Sequence, residues 1–418
     1  MPNPTLLLAT FDETLALTDT SGAGTFTGID PVRYDDIGSA DGIWVEEATT
    51  NLITNPTAGT NTTGWATFTN RTLSRVTSLP AAMPAPLAAT VTTGFSVTAD
   101  ADLLSAPTLM QFGATLSAAA HVFSIYLYIP AAYTGGQILI EFQSFTSGSG
   151  TAQANADMGI VDDWQRVDVG PFTPNAGDVL GNLRIVSASL FTGNVVYIAA
   201  TQCEQNAYAT SYADGSLGDG YAWTGTAHAS TSTRAASSAS VDPTARIDAS
   251  AGAIAFRYKR LIDTAGEEII LQCGNAGAGE DYLEIGVDSS DDLYMEWNSD
   301  NAGAERVTIA TTIATDTDYF FYFDWDGTDI RASIDNGSLS SDTRNAVEGD
   351  LTGGNLTLSA PTGSHVVGPF AVFDRPLVAQ EITNIDEMET WRFDMLTGTG
   401  VNVLMPRMNV RNNTLLRR

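Results

Sequence analysis

Apolar residues in this chain recur at every second position over short runs, and turn-forming residues separate the runs. In His121-Val122-Phe123-Ser124-Ile125-Tyr126-Leu127-Tyr128-Ile129, one strand face carries His121, Phe123, Ile125, Leu127 and Ile129. Val122, Ser124, Tyr126 and Tyr128 fall on the other, and the first is the expected core face. The run 137–145 places Ile138, Ile140 and Phe142 on one side in the same way. Trp164-Gln165-Arg166-Val167-Asp168-Val169, 183–191 and 194–199 supply further strands. Regular short strands with Gly, Asn and Asp between them predict an antiparallel jelly roll over 51–213.

The flanking segments read differently. Residues 1–50 hold runs at 5–11, 24–29 and 42–46, divided by Thr20-Ser21-Gly22 and Ile37-Gly38-Ser39. A leader of this length buries little by itself, so it is expected to pack on the next domain or on a neighbouring subunit. Residues 214–245 are rich in Gly, Ala, Ser and Thr and read as a linker with a short ordered piece around Trp223. Residues 246–385 return to the strand pattern and predict a second all-β unit. Pro376 suits a first helical position, and Val378, Ile382, Ile385 and Met388 recur at helical spacing, which predicts a helix to about Trp391. The end of the chain, 386–418, combines apolar residues with Arg407, Arg411, Arg417 and Arg418.

Composition narrows the class. A chain of 418 residues is expected to form two or three domains. Charged residues are 16%, too few for helical bundles, while small polar residues abound. Acidic residues number 49 against 19 basic ones, a net charge of -30, and Lys259 is the single lysine. Such a surface repels phosphate backbones and anionic membranes, so nucleic acid is excluded as a partner. No run approaches the ~20 apolar residues that span a bilayer, so no membrane insertion is expected. Leu6-Leu7-Leu8-Ala9 is too short for a signal sequence. Cys203 and Cys273 offer neither metal-ligand spacing nor a disulfide framework, and two buried thiols in a reducing cytoplasm are expected.

Candidate chemistry is sparse. A phosphate loop needs Gly-Lys-Ser/Thr, and the one lysine follows Tyr258. His121, His228 and His365 lie too far apart in sequence for a zinc-protease motif. No cofactor is required, but the acidic surface and Asp-rich loops suit calcium, which takes hard oxygen ligands. Asp288, Asp291 and Asp292 form the calcium candidate, with Asp324-Trp325-Asp326 as a second acidic turn. Sugars bind aromatic faces beside amides and carboxylates. Tyr126, Tyr128, Tyr294 and Trp297 are the glycan-binding candidates, with Trp65 and Trp223 as further aromatics. Arg407, Arg411, Arg417 and Arg418 are read as a docking element attracted to acidic surface.

Two sets of motifs carry a resemblance. Arg33-Tyr34-Asp35-Asp36, then WVEEATTNLITNP at 44–56, then Gly64-Trp65 resemble the opening of tailed-phage virion proteins, where a strand-rich leader runs into a carbohydrate-binding-module-like jelly roll. Gln202-Cys203-Glu204-Gln205-Asn206-Ala207-Tyr208-Ala209-Thr210-Ser211-Tyr212 resembles the closing strand of those modules, with Asn206 in place of a Gly. Thr233-Arg234-Ala235-Ala236 matches the linker that follows it. The second unit resembles concanavalin A/laminin G-like sandwiches. Its marks are Gly252-Ala253-Ile254-Ala255-Phe256, the YFFYFDWDGTDIRASID hairpin at 319–335, and the closing run 368–382. Tyr319 replaces a common Trp there, and Val378 a usual Ser or Thr cap.

The expected fold is thus all-β: a jelly roll, then a concanavalin A-like sandwich, with a leader before them and a short helix and tail after. The resemblance implies a virion protein of tail fibre, tail spike or head fibre type. It would be assembled in the host cytoplasm, exposed on the particle as a homotrimer, and bound to other virion proteins and to host surface polysaccharide. A non-adhesive decoration or tail-tip protein is the alternative. A polysaccharide depolymerase is the third reading. The concanavalin-like fold hosts such enzymes, yet their Glu-x-Asp-x-x-Glu strand is missing, and Glu284 to Asp288 has the wrong spacing. The chain is therefore expected not to be an enzyme.

Overall fold

The computed structural model describes residues 5–9, 25–27, 34–37, 40–66, 70–84, 87–111, 116–144, 151–175, 181–190, 192–218, 220–241, 250–264, 266–274, 282–299, 303–344, 356–359, 363–373 and 375–386. The chain is all-β, as the alternation predicts. Its leader contributes β1 (Thr5–Ala9), β2 (Thr25–Thr27), β3 (Tyr34–Ile37), β4 (Ala40–Glu46) and β5 (Thr49–Asn51).

The first sandwich follows, with β6 (Arg71–Val76), β7 (Gly94–Ala99), β8 (Leu103–Gln111), β9 (His121–Tyr128) and β10 (Ile138–Ser144). It closes with β11 (Thr151–Asn155), β12 (Trp164–Phe172), β13 (Gly181–Leu190) and β14 (Val195–Glu204). The sheets run β12-β9-β14-β7-β6 and β11-β10-β13-β8, a jelly-roll winding with β6 added at one edge. The predicted faces hold: Phe123, Ile125 and Leu127 of β9, with Ile129 just after it, meet Ile138, Ile140 and Phe142 in one buried core. Phe142 joins the two sheets, stacking on Phe123 at 6.1 Å and meeting Phe172 edge-on at 5.5 Å.

Residues 214–241 are more than a connection. They supply β15 (Tyr221–Trp223), β16 (Ser232–Arg234) and β17 (Ser238–Val241). A small sheet forms in the order β15-β16-β5, so the leader and the inter-sandwich segment hold each other.

The second sandwich uses β18 (Gly252–Arg260), β19 (Glu268–Gly274), β20 (Tyr282–Val287), β21 (Leu293–Ser299) and β22 (Gly303–Ile309). It continues with β23 (Asp318–Trp325), β24 (Asp329–Ile334), β25 (Ser340–Thr343), β26 (Leu356–Ser359) and β27 (Ser364–Phe373). One sheet runs β25-β24-β23-β18-β27-β4-β3, with β1 also paired to β27; the other runs β2-β17-β26-β19-β20-β21-β22. Between them Phe256, Phe321, Phe323, Trp297 and Trp325 fill the core. After Ile334 the chain reverses through Asp335 and Asn336, at φ 47° and 56°, with Gly337 N–H bonded to Ile334 O at 2.8 Å. These left-handed angles are those of a type I′ turn, which Asn and Asp tolerate better than most residues.

Expectation and structure part at the leader. The leader does not add its strands to the sandwich that follows it in sequence; β1 to β4 join both sheets of the second one, and Val45 lies in that core. A short strand needs a ladder partner and a buried face, and ten-residue β27 offers both. The helix, α1 (Ala379–Asp386), is described no further than Asp386, so Met388 and Trp391 lie outside the described residues. Ile382 and Ile385 cover the outer face of the eight-stranded sheet beside Phe320, Tyr322 and Phe373. Val378 departs from the expected apolar stripe, at 62% exposed. It stands where the helix begins, and the Glu381 carboxylate reaches back to its N–H at 3.0 Å, half of a capping box.

Candidate functional site

The motif residues of 44–56, 202–212 and 233–236 converge on one buried joint. Asn51 is fully buried and uses its whole amide. Its Nδ2 donates to Thr201 O and Ala213 O at 3.0 and 3.2 Å, and its Oδ1 accepts from Ile53 and Cys203 N–H. An Asp could not make the two donations. Glu204 accepts from the hydroxyls of Thr49 and Thr210, from Thr210 N–H and from Gln202 Nε2, at 2.5 to 2.9 Å. Burial raises its pKa while these donors hold it down. Arg234 lies 3.6 Å from the Glu46 carboxylate, which accepts from Ser211 N–H, and donates to Glu47 O and Ser237 Oγ. Asn206, the departure from Gly, donates to Glu47 at 2.7 Å. These residues build the joint, and their polar atoms are directed inward.

The four glycan-binding candidates are all buried. Tyr126 and Tyr128, at 8% and 7% exposed, lie on the outer face of β9 beneath Leu79, Met83, Leu87 and Val91. Trp164 pins that cover by donating to Ala81 O at 3.1 Å and packs on Tyr128 at 5.5 Å. Trp297 is in the core, 5.3 Å from Trp325 and under the Arg344 guanidinium. Tyr294 is on the outer face but wholly covered, with the Arg306 guanidinium 3.8 Å from its ring centre. Trp65 is core, against Phe95 at 4.8 Å. Trp223 is half-buried beside His228.

The acidic loop is engaged as a turn. Asp288 Oδ1 accepts from Ser290 and Asp292 N–H at 2.8 and 3.1 Å, and Asp291 pairs with Arg260 at 2.6 Å. Among the described residues no three His, Cys, Asp or Glu side chains gather as a metal-holding group. Asp324 and Asp326 both pair with Arg331 across their hairpin. Cys203 and Cys273 are free and buried. Burial pushes the Cys273 thiol up to about 12, which leaves it unreactive near neutrality. Arg407, Arg411, Arg417 and Arg418 lie outside the described residues.

A different group of side chains forms the candidate site. Gln272, Glu284, Glu296 and Arg306 are register partners across β19, β20, β21 and β22, so they line up on one face of that sheet. The opposite face carries Leu271, Leu283, Met295 and Val307 and faces the core. Tyr282 donates to Glu296 Oε1 at 2.5 Å, and Arg306 Nε donates to Glu296 Oε2 at 2.8 Å. Tyr294 donates to Glu284 Oε1 at 2.7 Å and lies across Gly286, where a Cβ would sit 2.6 Å from its hydroxyl. Gln272 Nε2 reaches Glu284 Oε2 at 3.2 Å, and Arg306 also pairs with Glu267 at 2.5 Å. Burial raises the Glu284 pKa, and the charges of Glu296 and Glu267 add to that. Tyr282, Glu296, Asn298 and Arg306 remain half-exposed, and Thr308 is exposed. Among the predicted residues only Tyr294 belongs to this strip. The alternation in YLEIGV and LYMEWNS carried the signal for the rest: Tyr282, Glu284 and Gly286 share a face, as do Tyr294, Glu296 and Asn298.

No family model matches the sequence, and no curated protein matches it. Among solved structures the chain is similar to the receptor-binding domain of botulinum neurotoxin mosaic serotype C/D, at 13% identity and a TM-score of 0.31. That match covers 36% of this chain and 40% of the toxin chain, so it spans less than half of the latter. It is also similar to the CBM40 of Ruminococcus gnavus IT-sialidase, solved bound to α2,3-sialyllactose, at 15% identity and a TM-score of 0.29. Here 33% of this chain and 83% of the other are covered.

Proposed function

We propose that this chain is a virion-attached adhesion protein of fibre or spike type, and that it binds host surface polysaccharide through the outer face of the β19–β22 sheet. The observation that carries the binding is the strip itself. Two carboxylates, two amide side chains and two tyrosine hydroxyls stand in register on a half-exposed sheet face, and bonds among Gln272, Tyr282, Glu284, Tyr294 and Glu296 hold it. Fixed polar groups of this kind bind hydroxyl-rich ligands without first ordering side chains. The sequence resemblance at 44–56, 202–212 and 233–236 supports the virion context. In that context the protein is a homotrimer exposed on the particle, joined to other virion proteins by its Arg-rich tail.

Host cells and their purified surface polysaccharide test this reading. The full chain is expected to sediment with the polysaccharide, and Tyr282→Ala is expected to weaken that association at least tenfold without release of reducing ends by either protein. If particles lacking the chain adsorb normally and the purified chain binds no host polysaccharide, the protein is a non-adhesive structural part.

A further inference from the structure

We propose that the strip selects uncharged glycans and discriminates against sugars bearing carboxylate or phosphate; this inference rests on the glycan-binding reading above. The argument starts from the cation. Arg306 is the guanidinium of the strip, and its Nε, one Nη and one face are already engaged by Glu296, Glu267 and the Tyr294 ring. An incoming anion meets a guanidinium whose charge is answered within the chain. Three carboxyl groups surround that one cation. Burial raises the Glu284 pKa, and Glu267 and Glu296 by themselves set two carboxyl groups against the one guanidinium.

The hydrogen-bonding capacity points the same way. Glu296 accepts one bond at each oxygen from within the chain, at 2.5 Å from Tyr282 and 2.8 Å from Arg306. A carboxylate oxygen holds two acceptor positions, so one remains at each. Gln272 donates its amide to Glu284, which leaves its Oε1 as an acceptor. The strip is therefore rich in acceptors, and its one cation is already paired with two carboxylates of the chain. A sugar hydroxyl brings a donor to each such position. A sialic, uronic or phosphorylated sugar brings further acceptors and a charge of the wrong sign. The chain as a whole, at -30, repels the same ligands at long range, but salt screens that field while it screens close contacts less.

The test uses the full chain and matched polymers: neutral glucan, galactan, mannan and rhamnan, and the same four bearing carboxylates. Binding is followed by affinity electrophoresis at 0.15 M and about 0.5 M salt, a range over which the Debye length falls from about 8 Å to about 4 Å. At the higher salt the wild-type chain is expected to bind at least one neutral polymer ten times or more tighter than its carboxylated counterpart. Glu296→Gln, which keeps an acceptor for Tyr282, is expected to weaken the neutral complex about tenfold and to narrow the discrimination. Asn298→Ala serves as a second variant if the first unfolds. Equal or tighter binding of a carboxylated polymer at high salt overturns this inference and leaves the adhesion reading standing. Unchanged affinity and discrimination in the variant that folds also overturn it, since the strip would then not be the site. Binding of no polymer by the wild-type chain overturns the adhesion reading itself.

Discussion

His365 is a side chain on which a change of pH acts, although it is fully buried from solvent. Neither ring nitrogen has a hydrogen-bond partner, and its ring lies 5.5 Å from that of Tyr258. Burial holds it neutral, with a pKa pushed down to about 3 from 6.5. The folded chain thus binds fewer protons than the unfolded chain between these values. Its contribution is whole above pH 6.5 and is lost as pH falls toward 3. Between pH 7 and pH 5 the loss is about 2 kcal/mol. Denaturant unfolding of wild type and His365→Phe at both pH values is expected to differ by that amount, with the variant showing the flatter dependence. Equal slopes would mean that His365 is solvated in the folded chain. At this scale the sequence was half legible. Alternation placed Tyr126 and Tyr128 off the core, and they are, but it could not reveal the Leu79–Val91 cover over them. Tyr294 and Trp297 are three residues apart on one strand, so they point to opposite faces and could never share one ligand.

At the scale of elements, the pairing of β5 with β16 decides how the two sandwiches are held together. Register sets Thr49 opposite Arg234, and that brings the Arg234 guanidinium to Glu46 and the Glu47 carbonyl. The motif residues were legible as motifs. Their mutual contact was not, because strand order across nearly 190 residues leaves no trace in local periodicity. Replacing Arg234 by Met takes the paired cation away from the buried Glu46 carboxylate, which keeps its bond from Ser211 N–H. The expected loss is about 3–5 kcal/mol, larger than that for the pair Glu46→Gln with Arg234→Met, since removing both charges removes the desolvation cost too. Thermal unfolding of the two single variants and the double variant measures this as a coupling energy. Proteolysis adds a positional reading: cleavage within 214–241 is expected to accelerate most in Arg234→Met. Independent effects of the two substitutions would show that the 3.6 Å approach contributes nothing.

At the scale of the whole molecule, the chain leaves its second sandwich incomplete until its own beginning is added. Thr5 pairs with Phe373 and Ser238 with Thr27, so β1 and β2 cover one strand of each sheet, while Glu46 opposite Ser364 starts the β4 ladder on β27. The sequence showed that residues 1–50 could not bury themselves, but not which edge would receive them. A deletion of residues 1–37 removes β1, β2 and β3 and keeps Val45 in the core. It uncovers ladder groups on β27, β17 and β4, which are then open to pairing with another chain. Calorimetry of the truncated chain is expected to show the second sandwich melting about 5–10 °C lower, the shift that about 2–3 kcal/mol produces in a domain of this size. The first sandwich should melt where it does in the full chain, because none of the deleted strands belongs to its sheets. The truncated protein is also expected to self-associate at concentrations where the full chain does not. A shared downward shift of both transitions would mean that the joint couples the sandwiches into one cooperative unit. An unmoved second transition would mean that the leader strands add no stability to the sheets they extend.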